Sequence, residues 1–136
     1  MDRNLDELDS VIHKSVADAL AEDIGGGDLA SGLVDEDAVI GAKIIARQSM
    51  VLAGQRWVDQ VFAQLDDGIV IDWYIGNGET AEADDVICKL VGPAPGLRSG
   101  EQTALRFLRS LSAIATTTAR GVAVDTIDVS MVFRID

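Results

Sequence analysis

Bases are scarce in this chain. Its 11 lysines and arginines stand against 23 aspartates and glutamates, a formal net charge of −12. A surface of that sign repels nucleic-acid backbones and anionic membrane surfaces, so neither nucleic acid nor membrane is an expected partner. Small polyanions are repelled as well unless the few cations converge locally. Cysteine occurs once, at Cys88, which excludes an internal disulfide and fits a reducing, cytoplasmic setting. Histidine also occurs once, at His13, and no serine or cysteine motif accompanies it. Neither a catalytic triad nor a zinc site can be argued from it. No apolar run reaches the roughly 18 residues of a membrane span, and MDRNLDELDS lacks the basic flank and apolar core of a signal peptide. Aromatics make up only 4% of the residues, so aliphatic side chains must fill the core.

What is present suffices for one domain. The chain has 136 residues, 48% of them hydrophobic, too apolar for disorder. Leu5, Leu8, Ile12, Val16, Ala19 and Leu20 recur at three- and four-residue spacing, the mark of a helix face. Asn4 and Glu7 resemble a capping box at its start, and Gly25, Gly26 and Gly27 stop it. The β-branched stretch from Ala38 to Ala46 predicts a strand. Trp57, Val58, Val61, Phe62 and Leu65 return to helical spacing. The segment IVIDWYI alternates as a strand, with Ile69, Ile71, Trp73 and Ile75 on one face, and Asn77-Gly78 predicts a hairpin turn. A strand over 86–91 runs into the breaker Gly92-Pro93-Ala94-Pro95-Gly96. A long helix then spans about 99–122, with Ala104, Leu108, Leu111, Ala115 and Val122 inward. The tail alternates through Val129, Met131, Phe133 and Ile135 as a terminal strand. Together these predict an α+β fold, an antiparallel sheet covered by helices.

Few groups carry chemistry. Gly25-Gly26-Gly27-Asp28 follows a helix, whereas a phosphate loop leads into one, so it reads as a helix stop. Glu22, Asp23 and Asp28 could do acid–base work or hold Mg²⁺, but the preferred reading is a solvated loop with capping roles. Cys88 sits in a predicted strand and reads as a buried, inert thiol. The segment NGETAEADDVICKL resembles the turn-strand pattern of biotinyl and lipoyl carriers. Its lysine, Lys89, falls inside a strand rather than at a hairpin tip, and the carrier reading fails. Gln102, Arg106 and Arg109, spaced by four and three, share one helix face. Such a stripe could hold a carboxylate or phosphate in arginine forks. From spacing alone an ordinary solvated face is preferred.

Three segments in their correct order change that balance. ALAEDIGGGDLAS (residues 19–31), ARQSMVLAGQRWVDQVF (46–62) and GPAPGLRSGEQTALRFLRSLSAIAT (92–116) resemble motifs of the quinolinate phosphoribosyltransferase family. In that family the motifs read EDxGxGDxT, R-x-x-x-VLAG-x-x-W-x-x-x-x-F and GPAR…ERTALNFLQxLSGIAT. The resemblance runs from about residue 5 to 118. It implies an open α/β sandwich that, in the family, precedes a C-terminal α/β barrel. It also implies the family's reaction, in which quinolinate and phosphoribosyl pyrophosphate give nicotinate mononucleotide, CO₂ and pyrophosphate with the help of Mg²⁺, a step of NAD biosynthesis. Family enzymes are dimers or larger, each sandwich covering the barrel site of its partner.

The departures set the expectations for this chain. Gln102 stands where the family has its substrate-contacting arginine, and Arg106 where it has asparagine. A neutral amide cannot make the charge-assisted bidentate contact, a loss of about 1.5–3 kcal/mol. Arg106, one turn away, is the residue placed to restore part of it. Pro95 replaces the arginine of GPAR, Ala30 a threonine, Ala113 a glycine and Asp84 a turn glycine. Val124-Asp125-Thr126 resembles the family's LDT, but Ile127 and Asp128 follow where arginine and lysine belong. The expected organisation is therefore a sandwich over 1–118 and a divergent tail over 119–136, without the roughly 250 residues of a barrel. Gln102 and Arg106 are the expected substrate-binding positions, with no catalytic or metal-ligating residue. Mg²⁺ is implied for the complete family enzyme alone, and the chain is expected to be inactive by itself. Its expected partner is a second copy or a chain carrying the barrel. The alternative is a non-catalytic dimerisation or regulatory module that caps a full-length relative.

Overall fold

Eight-residue strands of aliphatic residues and two strongly amphipathic helices supply the framework. The computed structural model describes residues 3–24 and 38–134. In chain order the elements are α1 (Arg3–Ile24), β1 (Val39–Ala46), β2 (Met50–Val51), α2 (Gln55–Leu65), β3 (Val70–Trp73), β4 (Thr80–Ala81), β5 (Val86–Pro93), α3 (Ala94–Arg120) and β6 (Val129–Arg134). Four strands form one antiparallel sheet in the order β3-β5-β1-β6, and β2 pairs with β4 in a two-stranded ladder. The α+β layer read from the sequence is the fold observed.

Alternation decides which face is covered. Ile40, Ala42, Ile44 and Ala46 of β1 face inward, beside Leu90 of β5 and Val129 and Met131 of β6. They share one core with Ile12 and Val16 of α1, Val58, Val61 and Phe62 of α2, and Leu97, Leu105 and Leu108 of α3. A register shift between Ile44 and Ile45 leaves Ile87 as the extra residue of β5. That bulge is why Ile87 and Cys88 are both buried although adjacent. At Gly100, an added Cβ would lie 2.6 Å from the buried ring of Phe62 and 2.9 Å from Leu65. Glycine there sets the approach of α3 to α2.

Several local expectations need correction. The breaker over 92–96 is a strand-to-helix junction: β5 runs to Pro93 and α3 starts at Ala94. Pro95 falls in the first helical turn, where a missing N–H is harmless. Val122 lies past the helix and is 66% exposed, so it is not a core residue. Leu8 is 39% exposed, and among the described side chains the core contribution of α1 begins one turn later at Ile12. Asn77-Gly78 turns the chain but makes no hairpin, because β3 and β4 belong to different sheets. Only Gly78 of the pair has positive φ, so the two-residue type I′ geometry is absent. Asn77 instead accepts a hydrogen bond through Oδ1 from the Gln55 N–H at 3.2 Å, capping α2 from a distance. Asp84 holds φ 73°, the conformation a turn glycine would adopt freely. α1 as described starts at Arg3, so Asn4 falls within the helix rather than at its N-cap, and the side-chain bonds of the capping box lie outside the described residues. The glycine stop at 25–27, Asp28, Ala30 and Ile135 lie outside the described residues.

The tail is part of the sheet. β6 pairs with β1 from Gly41↔Arg134 to Ala46↔Val129, so the alternation through Val129, Met131 and Phe133 is that of an edge strand.

Candidate functional site

The outward face of α3 carries Gln102, Arg106 and Arg109, as the spacing predicts, and all three are exposed. Their side chains do not converge. Arg106 reaches back to α1, where its guanidinium donates to Asp23 Oδ1 at 3.0 Å. Arg109 donates to the backbone carbonyl of Val129 at 3.0 Å, tying α3 to β6. Gln102, one turn before Arg106, makes no side-chain hydrogen bond among the described residues.

Asp23 explains the capture of Arg106. Its side chain is only 9% exposed, and its second oxygen accepts a short hydrogen bond from Thr103 Oγ1 at 2.5 Å. An acid in the last turn of a helix opposes the helix dipole, and α1 has no base in its last turn. Two donors from α3 supply the missing compensation. The acidic group read from the sequence therefore splits. Asp23 is a clamp, Glu22 is exposed, and Asp28 lies outside the described residues.

The cleft beside Arg106 is lined by Ser15, Asp18, Ala19, Glu22, Trp57, Phe107, Ser110 and Leu111 as well. Arg106 is its single cation and faces two further carboxylates, Asp18 and Glu22. An anionic substrate gains little there unless another surface adds positive charge. On the other flank, the Arg98 guanidinium stacks 4.5 Å from the Phe133 ring centre. Burial pushes the Glu101 carboxyl up, and the nearby Arg98 and Arg109 hold it back down.

Two buried hydroxyls join the other motifs. Ser112 Oγ accepts from the Ala53 N–H at 3.0 Å and donates to the Ala53 carbonyl at 3.1 Å. Thr116 Oγ1 accepts from the Val51 N–H at 2.9 Å and donates to the Ser112 carbonyl at 2.7 Å. Hydroxyls at i and i+4 on α3 thus stand in for a strand partner along residues 51–53. These roles were missed in the sequence. The available signal was a serine and a threonine one turn apart on an otherwise apolar helix face.

The remaining candidates are structural. His13 is exposed at a cleft between α1 and α2 that also holds Asp9, Arg56 and Asp59. Arg56 is ion-paired with Asp9. Burial raises the Asp59 carboxyl, and the Trp73 Nε1–H, donating at 2.8 Å, lowers it in part. Cys88 is fully buried, and burial pushes its thiol up to about 12. It is therefore a neutral packing group at ordinary pH. Lys89 lies in β5 with its ammonium over the Tyr74 ring, not at a hairpin tip. Among the described residues no group of three or more His, Cys, Asp or Glu could hold a metal ion, and no helix is long and apolar enough to cross a membrane.

Comparison with known proteins gives this geometry a context. The family model described as "Quinolinate phosphoribosyl transferase, N-terminal domain" matches residues 28–112. A Bacillus subtilis protein named "Probable nicotinate-nucleotide pyrophosphorylase (carboxylating)" is 35% identical over 101 residues, which cover 74% of this chain and 35% of that protein. The rat nicotinate-nucleotide pyrophosphorylase is 35% identical over 107 residues, 79% of this chain and 35% of that protein. Among solved structures, the nicotinate-nucleotide pyrophosphorylase of Francisella tularensis superposes with a TM-score of 0.78 at 33% identity, covering 81% of this chain and 40% of that one. NadC from Streptococcus pyogenes gives 0.76 at 27% identity, covering 79% and 39%. The chain thus spans about a third of the length of these curated relatives.

Proposed function

Since the chain belongs to the quinolinate phosphoribosyl transferase family through its N-terminal domain, we propose that it supplies the sandwich half of a nicotinate mononucleotide-forming site in NAD biosynthesis. The reaction joins quinolinate to phosphoribosyl pyrophosphate with loss of CO₂ and pyrophosphate. In this reading the α/β barrel that holds both substrates comes from outside these 136 residues. The sandwich closes over that barrel with the outward face of α3, and Gln102 and Arg106 are its substrate-facing positions. The family resemblance ends near residue 118, whereas the fold continues through β6.

The observation that carries the reading is the junction of motifs on α3. Asp23 of the first segment bonds Thr103 and Arg106 of the third. Ala53 of the second bonds Ser112 of the third. The three segments hold one another, which keeps the Gln102 turn in place. Gln102 itself offers a neutral amide, and Arg106 is already engaged, so substrate attraction by this face alone is weak. Mg²⁺ enters the reading only with the barrel. It prefers carboxylates together with substrate phosphates, and Asp23, the carboxylate beside this face, already bonds Thr103 and Arg106. A cytoplasmic, reducing setting belongs to the same proposal and rests on the single cysteine.

The test is direct. The chain is incubated with quinolinate, phosphoribosyl pyrophosphate and Mg²⁺, and nicotinate mononucleotide is followed by chromatography. The expected result is no product from the chain alone. Turnover by the isolated chain would overturn the requirement for a barrel.

The capture of Arg106 by Asp23 favours a second reading, a non-catalytic module that caps a full-length relative. Mixing with such an enzyme separates the two. Co-elution with a lowered rate supports capping, and restored rate in a barrel-only enzyme supports the first reading.

A further inference from the structure

The four-stranded sheet ends in two edges that are not alike. β3 is four residues long and carries Asp72. β6 is six residues long, VSMVFR, with no proline, no glycine and no carboxylate. Soluble proteins usually blunt an edge strand by shortness, charge, proline or a bulge, because its open backbone groups recruit another strand. β6 pairs with β1 without a register shift, and its one charge is Arg134 at the end.

The register fixes which backbone groups are open. The Arg47 N–H donates to the Asp128 carbonyl at 2.9 Å, which makes Arg47 and Asp128 a hydrogen-bonded pair. In an antiparallel ladder such pairs alternate with non-bonded ones. Asp128, Ser130, Val132 and Arg134 therefore turn their backbone groups to β1, and Val129, Met131 and Phe133 turn theirs outward. Arg109 meets one of these groups, the Val129 carbonyl, at 3.0 Å, and a carbonyl oxygen keeps a second lone pair.

A second copy of β6 matches this edge. Run antiparallel with Met131 opposite Met131, it sets Val129 opposite Phe133, so the outward groups of both strands meet as bonded pairs. The same register sets Asp128 opposite Arg134 twice over, on the outer side of the sheet where both side chains are exposed. Opposite charges and aromatic–aliphatic pairs across strands each stabilise a ladder. Sliding the copies by two residues breaks both charge pairs, and sliding by one turns the inner face of one copy onto the outer face of the other.

We propose that β6 pairs antiparallel with β6 of a second copy about a two-fold axis at Met131, joining the two four-stranded sheets into one, with the helices of both copies on the same side. The contact lies at the sheet edge, apart from Gln102 and Arg106, and does not depend on the function proposed above.

Sedimentation equilibrium over a concentration series tests it. The wild-type chain is expected to form a dimer. Asp128→Arg alone, or Arg134→Asp alone, sets like charges across both symmetric pairs and is expected to raise the dissociation constant about tenfold. The two single variants mixed in equal amounts are expected to recover association, and so is the double variant, because either arrangement restores opposite charges in both pairs. Circular dichroism establishes that each variant is folded. Hydrogen exchange in the wild-type chain needs no variant: the Met131 and Phe133 amides are expected to exchange more slowly in the dimer than in the monomer, and the amides of β3 equally fast in both. A concentration-independent monomer, association indifferent to the reversals, no recovery in the mixture, or Met131 and Phe133 amides equally fast in monomer and dimer would each overturn the proposal.

Discussion

Asp23 and Arg106 are 83 residues apart in sequence and 3.0 Å apart in the fold. The sequence offered Arg106 as a substitute for a missing substrate arginine, and the structure gives it a partner already. The Asp23 carboxylate is nearly enclosed and depends on two donors, Thr103 and Arg106. Removing one partner of such a pair leaves a desolvated group, which costs about 1–3 kcal/mol. Arg106→Ala and Asp23→Asn are each expected to lower stability within that range in urea unfolding. The double variant is expected to lose less than the sum, because the two changes remove one interaction. Additive losses would show that Arg106 is free to serve a substrate. A residue's type and helical phase were legible in the sequence. Its partner was not, because no local rule links the end of α1 to the middle of α3.

At the scale of elements, α3 is the spine. It presents an apolar stripe to the core, two hydroxyls to residues 51–53, and a polar stripe outward. Ser112→Ala is expected to destabilise by about 1–3 kcal/mol, since both the N–H and the carbonyl of Ala53 lose their partner. The Ala53 amide should then exchange hydrogen faster, read residue by residue by NMR, while the Val51 amide keeps its Thr116 partner. An unchanged exchange rate at Ala53 would remove the hydroxyls from the account. Periodicity located α2, α3 and the long strands, because 3.6- and 2-residue repeats follow directly from backbone geometry. The Asn77-Gly78 turn was misread for a matching reason. The dipeptide predicts a local reversal, but whether the next strand pairs back or joins another sheet depends on non-local partners.

For the whole molecule, the tail matters more than its divergence from the family suggests. β6 fills the sheet edge beside β1, buries Val129 and Met131, and receives Arg109 and the Arg98 stack. Ending the chain after Asp128 would uncover the inner face of β1 at Ala42 and Ile44. The shortened chain is expected to lose cooperative unfolding, with a broad transition and exposed apolar surface read by dye binding. A sharp transition at the original midpoint would make the tail dispensable.

The sequence by itself determined the family, the α+β layer, the outward phase of Gln102, Arg106 and Arg109, and the burial of Cys88. Each of these follows from local spacing, composition or motif. Tertiary structure alone decided that Arg106 is held by Asp23, that Ser112 and Thr116 replace a strand partner, and that β6 closes the sheet with alternate backbone groups turned outward. Those outcomes depend on which surfaces meet when layers pack, and packing joins residues that no short-range pattern connects.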